Sequence, residues 1–179
     1  MPCPAGKTCT SGVISNTDCP AGSYCDHNGV AYACDAGHKC PAGSRDQIPC
    51  EPGYYQPNTS QDQCENCPQG KYCEDLGTVT PGDCPDGYYC ELNTAAKNTF
   101  PCPIGYRGTG SSKVSQADGC QECDAGRYCA SEGLTGTSLP LCDSGYFCVS
   151  GAKVPRPKDA TDCISAANCG LCPTGEYCL

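Results

Sequence analysis

Three Cys-x-x-Cys pairs, CENC at 64–67, CQEC at 120–123 and CGLC at 169–172, are the residues whose type and spacing could carry chemistry. A dithiol at this spacing can exchange electrons through a stabilised thiolate, but redox motifs of that kind open a helix beside a βαβ unit. No window of the chain has helical periodicity. Four thiolates could instead hold zinc in a closed tetrahedral site. The first two pairs lie 56 residues apart, however, and only His27 and His38 are available as other ligands. Both histidines sit in turn-rich segments without a nucleophile beside them. Carboxylates such as Glu74, Asp75, Asp83 and Asp86 are scattered, and no dense Asp/Asn loop of the calcium-binding kind occurs. The expectation is no enzyme, no catalytic residue, no metal ligand and no cofactor; the cysteines are structural.

Composition explains why structure would need them. The chain has 179 residues, with 22 Cys, 22 Gly and 16 Pro, but 2 Phe and no Trp. Leu, Ile, Val and Phe together number nineteen, well under the roughly 20% below which chains usually fail to bury a core. Ordering a residue costs roughly 1–2 kcal/mol in backbone entropy. Closing a loop of about 15 residues with a disulfide recovers about 3 kcal/mol in the chain-entropy model. Eleven closures are available from 22 half-cystines. Such bridges persist in oxidising surroundings, so an extracellular or cell-surface location is expected. The formal charge of −9, without a basic run, argues against nucleic acid and against anionic membrane surfaces. No stretch reaches membrane-spanning length, and no apolar leader follows Met1, so the chain reads as a segment of a longer secreted protein or a mature form.

The elements that position the cysteines are repeats. The unit Cys-x-x-Gly-x-x-Cys recurs as CPAGKTC (3–9), CPAGSYC (19–25), CDAGHKC (34–40), CPQGKYC (67–73), CPDGYYC (84–90), CDAGRYC (123–129), CDSGYFC (142–148) and CPTGEYC (172–178). Two openings, CEPGYYQ at 50 and CPIGYRG at 102, lack the second cysteine and run on to Cys64/Cys67 and Cys120/Cys123. Together these make a six-cysteine super-repeat with loops of varying length between fixed units, which is the mark of a repeat array. The boundaries expected are 1–49 for partial modules, 50–101 and 102–162 for two six-cysteine repeats, and 163–179 for a truncated one. Glycine at the fourth position signals positive φ or a backbone approach too close for a Cβ. The aromatic ring before the second cysteine (Tyr24, Tyr72, Tyr89, Tyr128, Phe147, Tyr177) is expected to lie against a disulfide and a neighbouring turn. The fold class is therefore small and disulfide-rich: an elongated rod of tandem modules, mostly turns and short β-hairpins, with strands of two to four residues and no sizeable hydrophobic core.

Residues 50–73 and 102–129 resemble the ephrin-receptor-like cysteine-rich repeat, which is related in style to tumour-necrosis-factor-receptor modules. Tandem arrays with the Tyr-Cys ending resemble surface, coat and flagellar-hair (mastigoneme-like) proteins of algae and other protists. The resemblance implies a pairing in which the long opening closes on itself, giving Cys50–Cys64, Cys102–Cys120 and Cys163–Cys169. It further implies that successive units interlock, giving Cys19–Cys34, Cys25–Cys40, Cys67–Cys84, Cys73–Cys90, Cys123–Cys142 and Cys129–Cys148. Local closure of each unit, such as Cys84–Cys90, is the rival scheme. Cys3, Cys9, Cys172 and Cys178 are left to close locally, to pair beyond the chain, or to staple chains head to tail into a filament.

One N-glycosylation sequon, Asn58-Thr59-Ser60, sits in the longest turn of its module, making Asn58 the expected glycan acceptor. The basic stretch Lys153–Lys158 reads as a linker between modules, with a binding loop as the other reading. The function expected is a structural component of an extracellular filament, flagellar hair or surface coat, whose partners are further copies, other fibre subunits and glycans. The alternative is the ligand-binding stalk of a receptor ectodomain. A receptor surface gathers aromatic and Arg hot spots on one loop, whereas the tyrosines here recur at fixed repeat positions.

Overall fold

The computed structural model describes residues 3–10, 13–136, 138–164 and 170–171. Two compact units make up the chain: Met1–Gly82 with Leu92–Lys97, and Asp83–Glu91 with Asn98–Leu179.

Every described seven-residue unit starts with the same turn. The carbonyl of its second residue accepts from the N–H of its fifth, as in Pro4 from Lys7 (3.1 Å), Pro20 from Ser23 (3.1 Å) and Pro85 from Tyr88 (3.2 Å). The glycine between them has φ between +78° and +90° in all nine described units, which is the third position of a type II turn and excludes a Cβ at low cost. The turn sends the chain into a short strand that pairs with the residues just ahead of the next cysteine. Lys7–Thr10 pairs antiparallel with Val13–Asp18, Ser23–Cys25 with Ala31–Ala33, His38–Lys39 with Ile48–Pro49, and Tyr54–Tyr55 with Glu65–Asn66. In the second unit Tyr106–Gly108 pairs with Cys120–Glu122, and Tyr146–Phe147 with Gly170–Leu171. Single bridges join Tyr88 to Pro101 and Arg127 to Leu141. Strands run from two to six residues, the longest being Val13–Asp18. Among the described residues, helix is confined to Gln116–Gly119 and a 3-10 turn at Ala160–Asp162, capped by Ser115 and Asp159.

Sulfur fills the interior. Cys19, Cys25, Cys34, Cys40, Cys50, Cys67 and Cys73 of the first unit expose no surface, nor do Cys84, Cys90, Cys102, Cys123 and Cys129 of the second. Leu139 and Ala152 are the buried hydrophobic residues besides cysteine among those described. The fold is small and disulfide-rich, with hairpins in place of a core.

The interlocked pairing is corrected by this geometry. Cys19 pairs with Cys25 and Cys34 with Cys40, in place of Cys19–Cys34 and Cys25–Cys40. Cys67 pairs with Cys73 and Cys84 with Cys90, in place of Cys67–Cys84 and Cys73–Cys90. Cys123 pairs with Cys129 and Cys142 with Cys148, in place of Cys123–Cys142 and Cys129–Cys148. The reason is the turn: it doubles the seven residues back so that the Cα atoms of Cys19 and Cys25 are 5.7 Å apart, and those of Cys84 and Cys90 5.8 Å, at the usual span of a disulfide. Cys3 and Cys9 close in the same way. The openings close over 14 and 18 residues, as Cys50–Cys64 and Cys102–Cys120. Cys169, Cys172 and Cys178 lie outside the described residues, and with them the Cys163–Cys169 bridge.

The aromatic rings find partners across the hairpins rather than only against sulfur. Tyr24 stacks on Tyr32 and Tyr89 on Phe100, with ring centroids 5.5 and 5.4 Å apart. Tyr72 covers Gly82, and Tyr128 packs on the buried Cys148, Ala152 and Cys163. Phe147 stays exposed, and Tyr177 is outside the described residues.

Candidate functional site

The chemistry-bearing motifs form no reactive centre. Cys64 and Cys67 belong to different bridges, as do Cys120 and Cys123, so neither CENC nor CQEC is a dithiol couple. CGLC (169–172) lies mostly outside the described residues. His27 is exposed, and His38 places Nδ1 3.2 Å from the Ala36 carbonyl. Asp86 accepts at Oδ1 from the N–H groups of Gly87 (2.8 Å) and Gly110 (2.9 Å). Asp83 accepts from the Ser112 hydroxyl (2.9 Å), and Glu74 faces Lys97 at 3.7 Å. Among the described residues no cluster of three or more His, Cys, Asp or Glu could hold a metal ion, and no helix is long and apolar enough to cross a membrane.

What the repeats assemble instead is a docking lattice of backbone groups. In five repeats the motif glycine binds both cysteine positions of the next. Gly6 donates to the Cys25 carbonyl (3.1 Å) and accepts from Cys19 N–H (2.9 Å). Gly22 does the same with Cys40 (2.8 Å) and Cys34 (3.0 Å), and Gly53 with Cys73 (2.8 Å) and Cys67 (2.9 Å). In the second unit Gly105 binds Cys129 and Cys123, both at 2.9 Å, and Gly126 binds Cys148 (2.9 Å) and Cys142 (3.1 Å).

A second left-handed residue follows seven of the units and reaches back one repeat. Gly43 donates to the Cys19 carbonyl (2.8 Å), Ser60 to Cys34 (2.7 Å), Gly77 to Cys50 (2.8 Å) and Asn93 to Cys67 (2.9 Å). Ser112, Gly133 and Gly151 do so to Cys84, Cys102 and Cys123 at 2.7, 2.9 and 2.8 Å. Among the described residues, Ser60, Asn93 and Ser112 are the non-glycine ones with positive φ, at 58°, 63° and 58°, and all three occupy this position. The carbonyls of Gly43, Ser60, Gly77, Asn93, Gly133 and Gly151 face the motif glycine two repeats back. A Cβ on Gly6 would stand 2.5 Å from the Gly43 oxygen, and one on Gly53 2.9 Å from that of Asn93. Within each compact unit, repeats joined in this way are bonded to a neighbour and abut the one beyond it.

Gln56 takes the place of the missing cysteine in CEPGYYQ. It is buried, its Nε2 donates to the Gln63 carbonyl (2.8 Å), and its Oε1 accepts from Asn58 N–H (3.0 Å). Its backbone carbonyl accepts from Gly37 N–H at 2.7 Å, the bond a cysteine makes elsewhere. In CPIGYRG the same place falls to Gly108, against the Asp86 carboxylate. Neither substitution for sulfur was foreseen, although both positions lack the expected cysteine in plain view.

Asn58 is exposed beside this site. The basic stretch is not a linker: it folds back, with Asp143 N–H bonded to the Pro155 carbonyl (3.0 Å), Lys158 N–H to Asp162 Oδ2 (2.8 Å), Arg156 paired with Asp143, and Pro157 buried.

No protein-family model matches the chain. It is similar to mouse thyroglobulin, 38% identical over 112 residues that make up 59% of this chain and 4% of thyroglobulin. It is also similar to cysteine repeat modular protein A of Toxoplasma gondii, 28% identical over 123 residues, 66% of this chain and 3% of that protein. The chain thus spans a few per cent of the length of these curated relatives. The likenesses and the nine bridges among the described residues fit a cysteine-rich tandem-repeat protein with an extracellular type of chemistry.

Proposed function

We propose that the chain serves as a structural element of an extracellular filament, flagellar hair or surface coat, in which the repeats are spacers that other copies or subunits extend. The observation that carries this reading is the lattice: within each of the two compact units, successive repeats offer one another the same backbone donors and acceptors, a pattern that further repeats can extend. The receptor-stalk alternative calls for a gathered apolar and Arg patch. Exposed large hydrophobic residues instead lie along both units, from Val30 and Ile48 to Leu92 and Leu141. The six-cysteine repeats at 50–101 and 102–162, the truncated repeat at 163–179, closure of Cys163–Cys169 and a glycan on Asn58 belong to the same proposal. Electron microscopy of native material tests it. Regular filaments or a continuous coat are expected, and dispersed single particles would refute the structural role.

A further inference from the structure

We propose that the Cys50–Cys64 bridge is a thiol-exchange site for a small peptide thiol, which becomes joined to Cys64 as a mixed disulfide while Cys50 is released as a thiol. Three independent features single out this bridge.

The first is access, which governs which sulfur a thiolate attacks. Cys50 and the half-cystines of the neighbouring bridges expose no surface, whereas Cys64 is partly exposed. Cys64 also lines an open cavity of about 560 Å³ with Lys39, Glu51, Tyr54 and Asp62, a volume in the range of small-ligand sites. The Lys39 ammonium attracts the incoming thiolate, and the mixture of one cation with two carboxylates suits a zwitterionic peptide.

The second is loop length. Cys9 and Cys142 are partly exposed as well, but their bridges close over a sequence separation of 6, against 14 for Cys50–Cys64. Re-closure after attack weakens with loop length by the three-halves power, about 3–4-fold here, so a mixed disulfide on Cys64 persists longer. Cys102–Cys120, with a separation of 18, has the longer loop but offers no comparable access, since Cys102 is 0% and Cys120 8% exposed.

The third is Gln56. Its side chain holds the Gln63 carbonyl and the Asn58 N–H, and its backbone holds the lattice bond from Gly37. The loop carrying Cys64 therefore stays anchored when its sulfur bond opens. The exchange balances without an oxidant or reductant: the thiolate forms one S–S bond to Cys64, the Cys50–Cys64 bond breaks, and the electron pair leaves on Cys50, which takes up the proton the incoming thiol gave up.

The test uses the full oxidised chain in native buffer with glutathione, quenched with iodoacetamide and mapped by mass spectrometry. Glutathione on Cys64 and alkylation of Cys50 are expected while the other eight described bridges are intact, with Cys9 and Cys142 modified about 3–4-fold less. In Gln56→Ala, opening is expected to spread to Cys34–Cys40 and Cys67–Cys73 at the same time. Earlier modification of another bridge, glutathione on Cys50, collective opening of all bridges in the unaltered chain, or an unchanged pattern in Gln56→Ala would each overturn the proposal.

Discussion

Substituting Gly37 by alanine tests whether the lattice, and not only the sulfur, holds the repeats. Gly37 has φ +82°, and a Cβ there would lie under 3.0 Å from the Gly77 carbonyl. Alanine in that conformation costs about 1–2 kcal/mol. Displacing the Gly77 carbonyl strains the bonds from Gly37 N–H to Gln56 (2.7 Å), from Cys50 N–H to Gly37 (2.9 Å) and from Gly77 N–H to Cys50 (2.8 Å). Each is worth about 1 kcal/mol net, so the local loss is about 4–5 kcal/mol. Gly145 supplies the control: it has the same place in its unit and φ +86°, but no described atom lies within 4 Å of its Cβ position. Gly145→Ala should lose only the conformational part, about 1–2 kcal/mol. Because repeat arrays need not unfold in one step, the assay is native-state hydrogen exchange, which reads local opening. Protection at Cys50 and Gly77 in Gly37→Ala should fall at least about 30-fold further than protection around Gly145 falls in its own variant. Equal losses in the two variants would refute the argument that the carbonyl two repeats away sets the need for glycine.

Ser60→Gly relieves a left-handed serine while keeping its bond to Cys34, so protection of the Ser60-position N–H should rise by the equivalent of up to about 1 kcal/mol. Asn58→Gln should abolish a mass shift, removable by an amide-cleaving glycosidase, in material made through a secretory pathway; no shift in the unaltered chain removes Asn58 from the glycan reading. The Asp159 carboxyl is held below its ordinary 3.8 by hydrogen bonds first from the Thr161 hydroxyl and then from Thr161 N–H. A depressed acid stabilises the fold above its unfolded value and ceases to as pH falls through the lower, folded one. Acid titration below about pH 4 should therefore shift the Thr161 amide resonance, and Asp159→Asn should flatten that response.

How far the fold was legible varies with how rigidly the chemistry ties residue type to position. The motif glycine stands in one column of every unit, and the two reasons given for it, positive φ and a close backbone, hold together at Gly6 and Gly53. The second left-handed position escaped notice because Gly43, Ser60, Gly77, Asn93 and Ser112 differ in type and fall three or four residues after the unit ends. Gly, Ser or Asn at that offset was nonetheless a readable signal. Bridge pairing followed the resemblance where only the turn could decide it, since the doubling back of seven residues is a three-dimensional fact. Lys153–Lys158 looked like a spacer because its charge stands out, while the Asp143 and Asp162 carboxylates that fold it are distant in sequence or hidden in a cap.

Because each short staple joins residues only six apart in sequence, no sulfur bond among the described residues ties one seven-residue bead to the next. Under tension the seven-residue beads are inextensible, while the strings outside the Cys50–Cys64 and Cys102–Cys120 loops, which no described bridge closes, can pay out up to ~3.3–3.6 Å per residue. Such a material yields in small recoverable steps and keeps its covalent beads whole, the behaviour of a damper more than of a rigid strut.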